Sequence, residues 1–169
     1  MNHARSSDFE TAMSFFKENR KVFPHVRSDK IKRQIHDRQV ILENDVVITY
    51  QIYKRKVHLG PTGSALGVNG AVASKGDCIL HQIVAKVKGN GSATEVIENF
   101  FDEVDTNVFL TVRADNERAI RFYHKIGMDK VGLTSWSGGR IPGEIYCKRH
   151  EGGDLFEDIE KTNCLENIE

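Results

Sequence analysis

Apolar residues in the first third of the chain recur at helical spacing and then in short unbroken runs. They lie three or four residues apart between positions 9 and 16, which predicts an amphipathic helix that begins with a capping box at Ser7 and ends before Pro24. A second, more charged helix is expected from Ser28. Two β-branched runs between positions 40 and 53 flank a polar turn and predict a β-hairpin.

The rest of the chain alternates strand-like runs with helical patterns. Strands are predicted at 78–86, 108–112, 128–136 and 144–148. A helical pattern follows each of the first two strands, with Ser92 and Glu95 as a capping box for one helix and Asp115 as the cap of the other. This order of elements predicts a mixed α/β fold.

Length and composition limit the number of domains that the chain can form. With 169 residues, 39% of them hydrophobic, one continuous core is expected rather than two. We therefore predict a single domain over residues 1–150. Four glycines and a proline make 60–70 a predicted mobile loop, and the acidic segment 151–169 is predicted to be a disordered tail.

Charge and cysteine usage narrow the class of protein. Twenty-four basic residues balance 24 acidic ones, so the net charge gives no support for nucleic-acid binding, which stays open. Three widely spaced cysteines without a CxxC pair fit reduced thiols. No apolar run approaches the roughly 18 residues of a membrane span. Because the first residues also lack the apolar core of a signal peptide, we predict a cytoplasmic protein that does not contact membranes.

A glycine-containing loop separates the 78–86 strand from the next helix. Its sequence is Lys88-Gly89-Asn90-Gly91-Ser92-Ala93. Such small residues let consecutive backbone N–H groups approach an anion at a helix N-terminus. The loop lacks the patterns of nucleoside-triphosphate and dinucleotide loops. An ordinary strand-to-helix turn explains such a loop about as often as an anion site does, so this loop alone decides nothing.

The helix after the 108–112 strand carries a second pattern. Its sequence is Asn116-Glu-Arg-Ala119-Ile-Arg-Phe122-Tyr123-His-Lys-Ile-Gly127. By periodicity alone this is a half-buried helix that ends at a glycine, and Tyr123 is then a core aromatic residue with a solvated hydroxyl. The order strand, glycine loop, helix, strand, helix gives the two patterns more weight together than either has alone.

Both patterns resemble those of the GCN5-related N-acetyltransferases. Lys88-x-x-Gly91-x-Ala93 resembles the family's Arg/Gln-x-x-Gly-x-Gly/Ala loop. Asn116-x-x-Ala119-x-x-Phe122-Tyr123-x-x-x-Gly127 is similar to its Asn-x-x-Ala-x-x-Phe-Tyr-x-x-x-Gly-Phe helix. Lys88 replaces the usual Arg or Gln, and Met128 stands where Phe is usual. The resemblance is strong over residues 78–130. The chain opens with a helical pattern, which leaves open whether the family's first strand is missing or supplied elsewhere.

The resemblance implies a fold and a reaction. The implied fold has a central, mostly antiparallel sheet whose middle strands splay apart, flanked by helices. The implied reaction transfers an acetyl group from acetyl-CoA to a primary amine by direct attack and uses no metal. The residues that the resemblance assigns to acetyl-CoA binding are Ile83, Val84, Ala85, Lys88, Gly89, Asn90, Gly91, Ser92, Ala93, Asn116, Ala119, Phe122 and Tyr123.

Catalytic roles are assigned to two side chains. The resemblance places Tyr123 near the CoA sulfur as the general acid. His81 is the candidate base, because an imidazole titrates in the useful range, although a structural histidine on a partly buried strand is the more ordinary interpretation. Glu43 and His124 are weaker candidates for the base. Cys78 has no partner pair in the sequence and is interpreted as a small buried residue rather than a nucleophile.

The acceptor is not identified by the sequence. A small-molecule or peptide amine is expected, and the segments that would shape its site, 56–76 and 136–143, carry little pattern. Two alternatives stay open: an acyl-CoA-binding module without turnover, and a nucleic-acid-modifying relative, since 136–143 resembles a segment of phage-borne members. Retention of Asn116 and Tyr123 favours catalysis. The sequence also leaves open a homodimer.

Overall fold

The computed structural model describes residues 1–61 and 70–150. The tail predicted at 151–169, and nearly all of the loop predicted at 60–70, lie outside the described residues. The helices are α1 (Phe9–Glu18), α2 (Ser28–His36), α3 (Ser92–Val104) and α4 (Glu117–Lys125). The strands are β1 (Val40–Glu43), β2 (Val46–Ile52), β3 (Val57–Leu59), β4 (Ala71–Ala73), β5 (Cys78–Ala85), β6 (Val108–Arg113), β7 (Asp129–Trp136) and β8 (Ile141–Lys148). None of the helices in the described ranges has the length and apolarity needed to cross a bilayer.

Six strands form the central sheet, in the order β1-β2-β5-β6-β8-β7. Neighbouring strands are antiparallel except β5 and β6, which are parallel. The parallel pair is joined only at Cys78 with Val108 and at Ile79 with Phe109, although both strands continue beyond these residues. The two middle strands therefore splay apart toward their carboxyl ends, which confirms the predicted mixed α/β fold with a splayed, mostly antiparallel sheet.

Helices cover both faces of this sheet. On the α1 face, α1 and α2 pack buried residues such as Phe16 and Ile35 against Val47 and Val84 of the sheet. On the α3 face, α3 and α4 cover a larger cluster that contains the fully buried Phe100. Since β2 and β5 alternate residues between these two faces, their continuous apolar runs are explained by burial on both sides.

The first residues of the chain pair with β1. The Ala4 N–H donates to the Val40 carbonyl at 2.9 Å, and the Leu42 N–H donates to the Asn2 carbonyl at 3.0 Å. A single bridge joins His3 and Ile41 between these bonds. Residues 2–4 therefore form a short extended segment beside β1. The sequence pattern did not reveal it, because its partners lie far along the chain.

Local details also differ from the sequence-based expectations. Asp8, and not Ser7, closes the turn before α1, since its carboxylate accepts the Arg5 N–H at 2.7 Å. The β3–β4 pair flanks the predicted loop 60–70 and lies within the 56–76 stretch, whose sequence carries too little pattern to predict strands. Strand β8 begins at Ile141 rather than at Glu144, because the Pro142 carbonyl still accepts the Ala114 N–H at 3.0 Å.

Candidate active site

An irregularity in the pairing of β2 with β5 lies beside the splay. Thr49 is opposite Gln82, whereas the next residue, Tyr50, is opposite Leu80. His81 is therefore the extra residue of a β-bulge on β5. A bulge bends its strand and increases the local twist. The bend occurs just after the last pair between β5 and β6, so it accounts for the separation of these strands.

A cavity of about 560 Å³ occupies the gap between β5 and β6. It brings together almost all of the residues predicted from the sequence to form the site: His81, Ile83, Val84, Ala85, Lys88, Gly89, Asn90, Gly91, Ala93, Asn116, Ala119, Phe122 and Tyr123. Ser92 does not line it. The residues that sequence reasoning missed are Asn19, Val22, Phe23, Gln82, Val87, Thr94, Thr111, Val112, Arg113, Arg118, Lys125 and Trp136.

The glycine loop enters α3 through left-handed backbone. Gly89 and Gly91 have φ angles of +81° and +83°, and Gly91 is the N-cap of α3. The predicted Ser92–Glu95 capping box is wrong, because Ser92 is already helical and its N–H is bound by the Asn90 side chain at 3.0 Å. A Cβ atom on either glycine would meet nothing within 4 Å. The loop is therefore open to a ligand at the N-terminus of a thirteen-residue helix.

Helix α4 is capped by a residue of the predicted site. The Asn116 side chain accepts the Ala119 N–H at 3.3 Å, so Asn116 is the cap instead of Asp115. Asp115 accepts two hydrogen bonds from Arg113, at 3.0 and 2.9 Å, and this charged partner lowers the pKa of Asp115. Asn116 therefore fixes where α4 begins and hence where Tyr123, two turns later, meets the cavity.

The charges around the cavity have one sign. Its lining includes Lys88, Arg113, Arg118 and Lys125, while no aspartate or glutamate of the described ranges takes part. Opposite charges attract strongly in a partly enclosed site because little water intervenes. The lining therefore fits an anionic ligand, and it fits a polycation poorly.

Tyr123 lines the cavity, and its ring packs among other aromatic rings. The ring packs at 5.9 Å from the ring of Phe122 and at 6.1 Å from that of Tyr146, measured between centroids. Desolvation by burial raises the pKa of Tyr123 to about 12. The phenol is therefore protonated throughout the neutral range and is able to donate a proton or a hydrogen bond inside the cavity.

His81 opens onto the cavity and keeps access to solvent. Desolvation by the cavity walls lowers its pKa to about 4, and the positive charge of Lys30 adds to this effect. The value differs from the sequence-based expectation of titration in the useful range. Above pH 4 the ring is neutral and able to accept a proton, although so low a pKa makes it a weak base.

The other candidate bases and the candidate nucleophile lie away from the cavity. Glu43 pairs with Val46 at the far edge of the sheet, and His124 turns its Nε2 atom toward the Tyr146 hydroxyl at 3.5 Å. Neither lines the cavity. Cys78 is fully buried, and burial raises the pKa of its thiol to about 12. It is a packed core residue, as the sequence indicated.

The register of the sheet assigns the cavity walls to two sides. Thr111 and Arg113 are opposite Ile145 and Gly143, which places them on the α1 face with the core residue Ile145. Trp136 lies on the same face, since a Cβ atom on Gly143 would come within 2.5 Å of its ring. The glycine loop and α4 lie on the α3 face. The cavity therefore passes through the sheet. Its opening on the α3 face lies at the glycine loop. Its opening on the α1 face, which we call the aromatic mouth, lies at Trp136.

Comparisons with known proteins agree with this geometry. No family model and no curated protein matches the sequence. An acetyltransferase of the GNAT family from Streptococcus pneumoniae is 13% identical, with a TM-score of 0.62, over 88% of this chain and 96% of its own. The ribosomal-protein-alanine N-acetyltransferase from Brucella melitensis is 14% identical, with a TM-score of 0.61, over 88% and 98%. A GNAT-family acetyltransferase from Bacillus cereus is also 14% identical, with a TM-score of 0.60, over 88% and 94%.

Structural similarity at such low sequence identity establishes the fold but not the reaction or the substrate. The chain has the fold of the GCN5-related N-acetyltransferases, and the resemblance expected from its two sequence patterns is confirmed at that level. The function depends on the residues of the cavity.

The low pKa of His81 predicts a pH dependence of stability. The folded-state pKa lies below the ordinary value of 6.5, so the unfolded chain binds a proton more readily between pH 6.5 and 4. The fold is therefore destabilised as the pH falls through this window, and His81→Gln should remove that contribution. We expect the melting temperature of the wild type to fall more between pH 7 and pH 5 than that of the variant, measured by circular dichroism.

The control for this measurement is His25→Gln, which removes an imidazole from the loop between α1 and α2. It should leave the pH dependence of the wild type unchanged. Identical pH dependence of the wild type and His81→Gln would show that His81 is not desolvated in solution.

Proposed function

We propose that this protein transfers an acetyl group from acetyl-CoA to a primary amine by direct attack within the cavity. The observation that carries the proposal is the separation of β5 from β6 after two residue pairs, with the glycine loop on one side of the gap and Tyr123 inside it. Such a gap lets an elongated acyl carrier and an acceptor approach each other from opposite faces of one sheet.

The structural neighbours support an amine as the acceptor. Those described above are acetyltransferases, and the Brucella melitensis enzyme is described as acting on an alanine of a ribosomal protein. Because a shared fold hosts different reactions, the assignment to this chain depends on how well its own residues suit acetyl transfer. A peptide or small-molecule amine fits the aromatic mouth, which has apolar residues as well as polar ones.

The residues present fit acetyl-CoA. Lys88 and the open N-terminus of α3, behind Gly89 and Gly91, would hold the pyrophosphate. The β5 segment from Ile83 to Ala85 would hold the pantetheine arm, because its backbone groups that face the gap have no partner strand beyond Ile79. Arg118 and Lys125 offer further positive charge on α4. When bound there, acetyl-CoA supplies an acetyl thioester.

Acetyl transfer requires a group that accepts a proton from the amine and a group that donates a proton to the leaving thiolate. A bond forms between the amine nitrogen and the acetyl carbon, and the bond from that carbon to sulfur breaks. The neutral His81 would accept the proton that the amine loses, directly or through water. The protonated Tyr123 would donate its proton to the departing thiolate. Backbone N–H groups of β5 would stabilise the negative charge that develops on the carbonyl oxygen.

Gly91 tests the binding of acetyl-CoA. A valine at this position would fill the open space beside the loop and hold a pyrophosphate away from the backbone N–H groups. Calorimetric titration should show at least tenfold weaker binding by Gly91→Val than by the wild type. In a thermal-shift assay the wild type should gain about 2.7 kcal/mol at a ligand concentration a hundred times its Kd.

The matched control for this variant is Gly139→Val. Gly139 also has a positive φ, of +89°, and open space around its position, but it lies outside the cavity lining. Both variants carry a similar backbone strain, so only Gly91→Val should lose affinity. Equal affinities of the two variants for acetyl-CoA would show that the glycine loop is a turn without a role in binding.

Tyr123→Phe tests the proton donor. The substitution keeps the ring contacts with Phe122 and Tyr146 and removes only the hydroxyl, so no cavity is created. We expect kcat to fall roughly 100-fold, the lower end of the range for general-acid catalysis because thiolate is a good leaving group. The binding of acetyl-CoA should not change. The assay is the release of CoA with a panel of peptide and small-molecule amines.

Tyr53→Phe is the control, since Tyr53 packs against the β3–β4 pair and does not line the cavity. It should keep the wild-type rate. If Tyr123→Phe turns over as fast as this control, the Tyr123 hydroxyl does not act as the proton donor.

A further inference from the structure

Charge is unevenly distributed along this balanced chain. Residues 151–169 contain seven acidic residues and one lysine. Because the whole chain has no net charge, residues 1–150 carry a net charge of +6. The zero net charge that gave no support for nucleic-acid binding is therefore produced by one acidic segment, and residues 1–150 taken alone are basic.

Much of this positive charge lies in one stretch of the α1 face. Residues 17–38 contain eight basic and three acidic residues, a net charge of +5 within 22 residues. Arg27 is held by Asp29 at 2.8 Å, and the Lys32 amine lies 4.8 Å above the ring of Phe9. The exposed cations of this stretch that form no ion pair within the described ranges include Lys17, Arg20, Lys21, Lys30 and Arg33, which we call the α1–α2 basic surface.

The α1–α2 basic surface borders the aromatic mouth of the cavity. Arg20 and Lys21 lie in the chain between Asn19 and Val22, which both line the cavity. Lys30 is close enough to His81 for its charge to act on the imidazole. A molecule held by these cations would therefore lie across the entrance through which an acceptor reaches the gap.

The mouth itself offers aromatic surface. The Trp136 side chain is 38% exposed although it lines the cavity, and the half-buried Phe23 also belongs to the lining. An exposed aromatic ring together with a group of exposed cations is the combination with which proteins bind unpaired bases and the phosphates that join them. An acidic peptide would use the cations but would gain nothing particular from an exposed indole.

We propose that the α1–α2 basic surface binds the phosphate backbone of a single-stranded nucleic acid, with an unpaired base against Trp136. Helix α2 has nine residues and spans about 14 Å, which is on the order of four phosphates at the roughly 3.4 Å spacing of one stacked strand. The proposal goes beyond acetyl transfer, because it concerns what the protein binds and not which amine it modifies.

A pair of charge-reversal variants tests the proposal. The first replaces Arg20, Lys21 and Lys30 by glutamate. The matched control replaces Lys54, Arg55 and Lys56 by glutamate, which changes the net charge equally. These three exposed cations follow β2 at the opposite end of the sheet, beside the start of β5. The measurement is fluorescence anisotropy of a labelled single-stranded oligodeoxynucleotide of about 20 nucleotides, over a range of salt concentrations.

The wild type should bind the oligonucleotide with an affinity that falls steeply with salt. The first variant should bind at least tenfold more weakly and lose about two units of the slope of log K against log salt, since three phosphate contacts contribute about 0.7 each. The control variant should stay within about twofold of the wild type. A Trp136→Ala variant should also weaken binding but keep the salt slope, because it removes a stacking contact and no charge.

Three outcomes would overturn the proposal: no binding by the wild type at low salt, equal losses in the two charge-reversal variants, or displacement of the oligonucleotide by polyglutamate as effectively as by unlabelled oligonucleotide. The last would identify the partner as an acidic peptide.

The stabilisation of the fold by acetyl-CoA is measured on the same proteins. Its retention in the first variant shows that the fold and the cofactor site are intact, and its absence from the wild type would contradict acetyl transfer without touching the nucleic-acid result.

Discussion

The rest of the site depends on the loss of pairing between β5 and β6. Two residue pairs join these strands at their start, and the bulge at His81 then turns β5 aside. The free edges of both strands carry backbone groups that must be satisfied by a ligand or by solvent, because an unpaired buried backbone group is costly. The same separation creates a passage through the sheet, which would let the two ligands of the proposed reaction meet.

Around this passage, each wall is suited to a different partner. The α3 face presents a glycine loop with left-handed backbone, a helix N-terminus and Lys88, which together favour a phosphate group. The α1 face presents Phe23 and Trp136, and the exposed Arg20 and Lys21 adjoin lining residues in the chain. Between the two walls lie a neutral imidazole, which is able to accept a proton, and a protonated phenol, which is able to donate one.

The sequence predicted the parts of this site that are encoded locally. Gly91, Asn116 and Tyr123 were found because a loop and a helix carry their residues at fixed spacing. Trp136 and Phe23 were missed because only the pairing of β7 with β8 and the packing of the α1–α2 loop bring them to the same cavity. The bulge was missed because hydrophobic periodicity does not reveal which residue of an apolar strand is left unpaired. The α1–α2 basic surface was not recognised, because the net charge was summed over the whole chain, in which the acidic segment 151–169 cancels the basic residues.

The central claim is that the gap between β5 and β6 holds an acyl carrier along β5. The most direct measurement is a titration of the isotope-labelled full chain with acetyl-CoA, followed by the backbone amide signals in two-dimensional NMR. The account predicts that the largest shifts occur at residues 82–85 and 88–93, with smaller ones at the start of α4. Shifts confined to α1 and α2, or no shifts at millimolar acetyl-CoA, would contradict it.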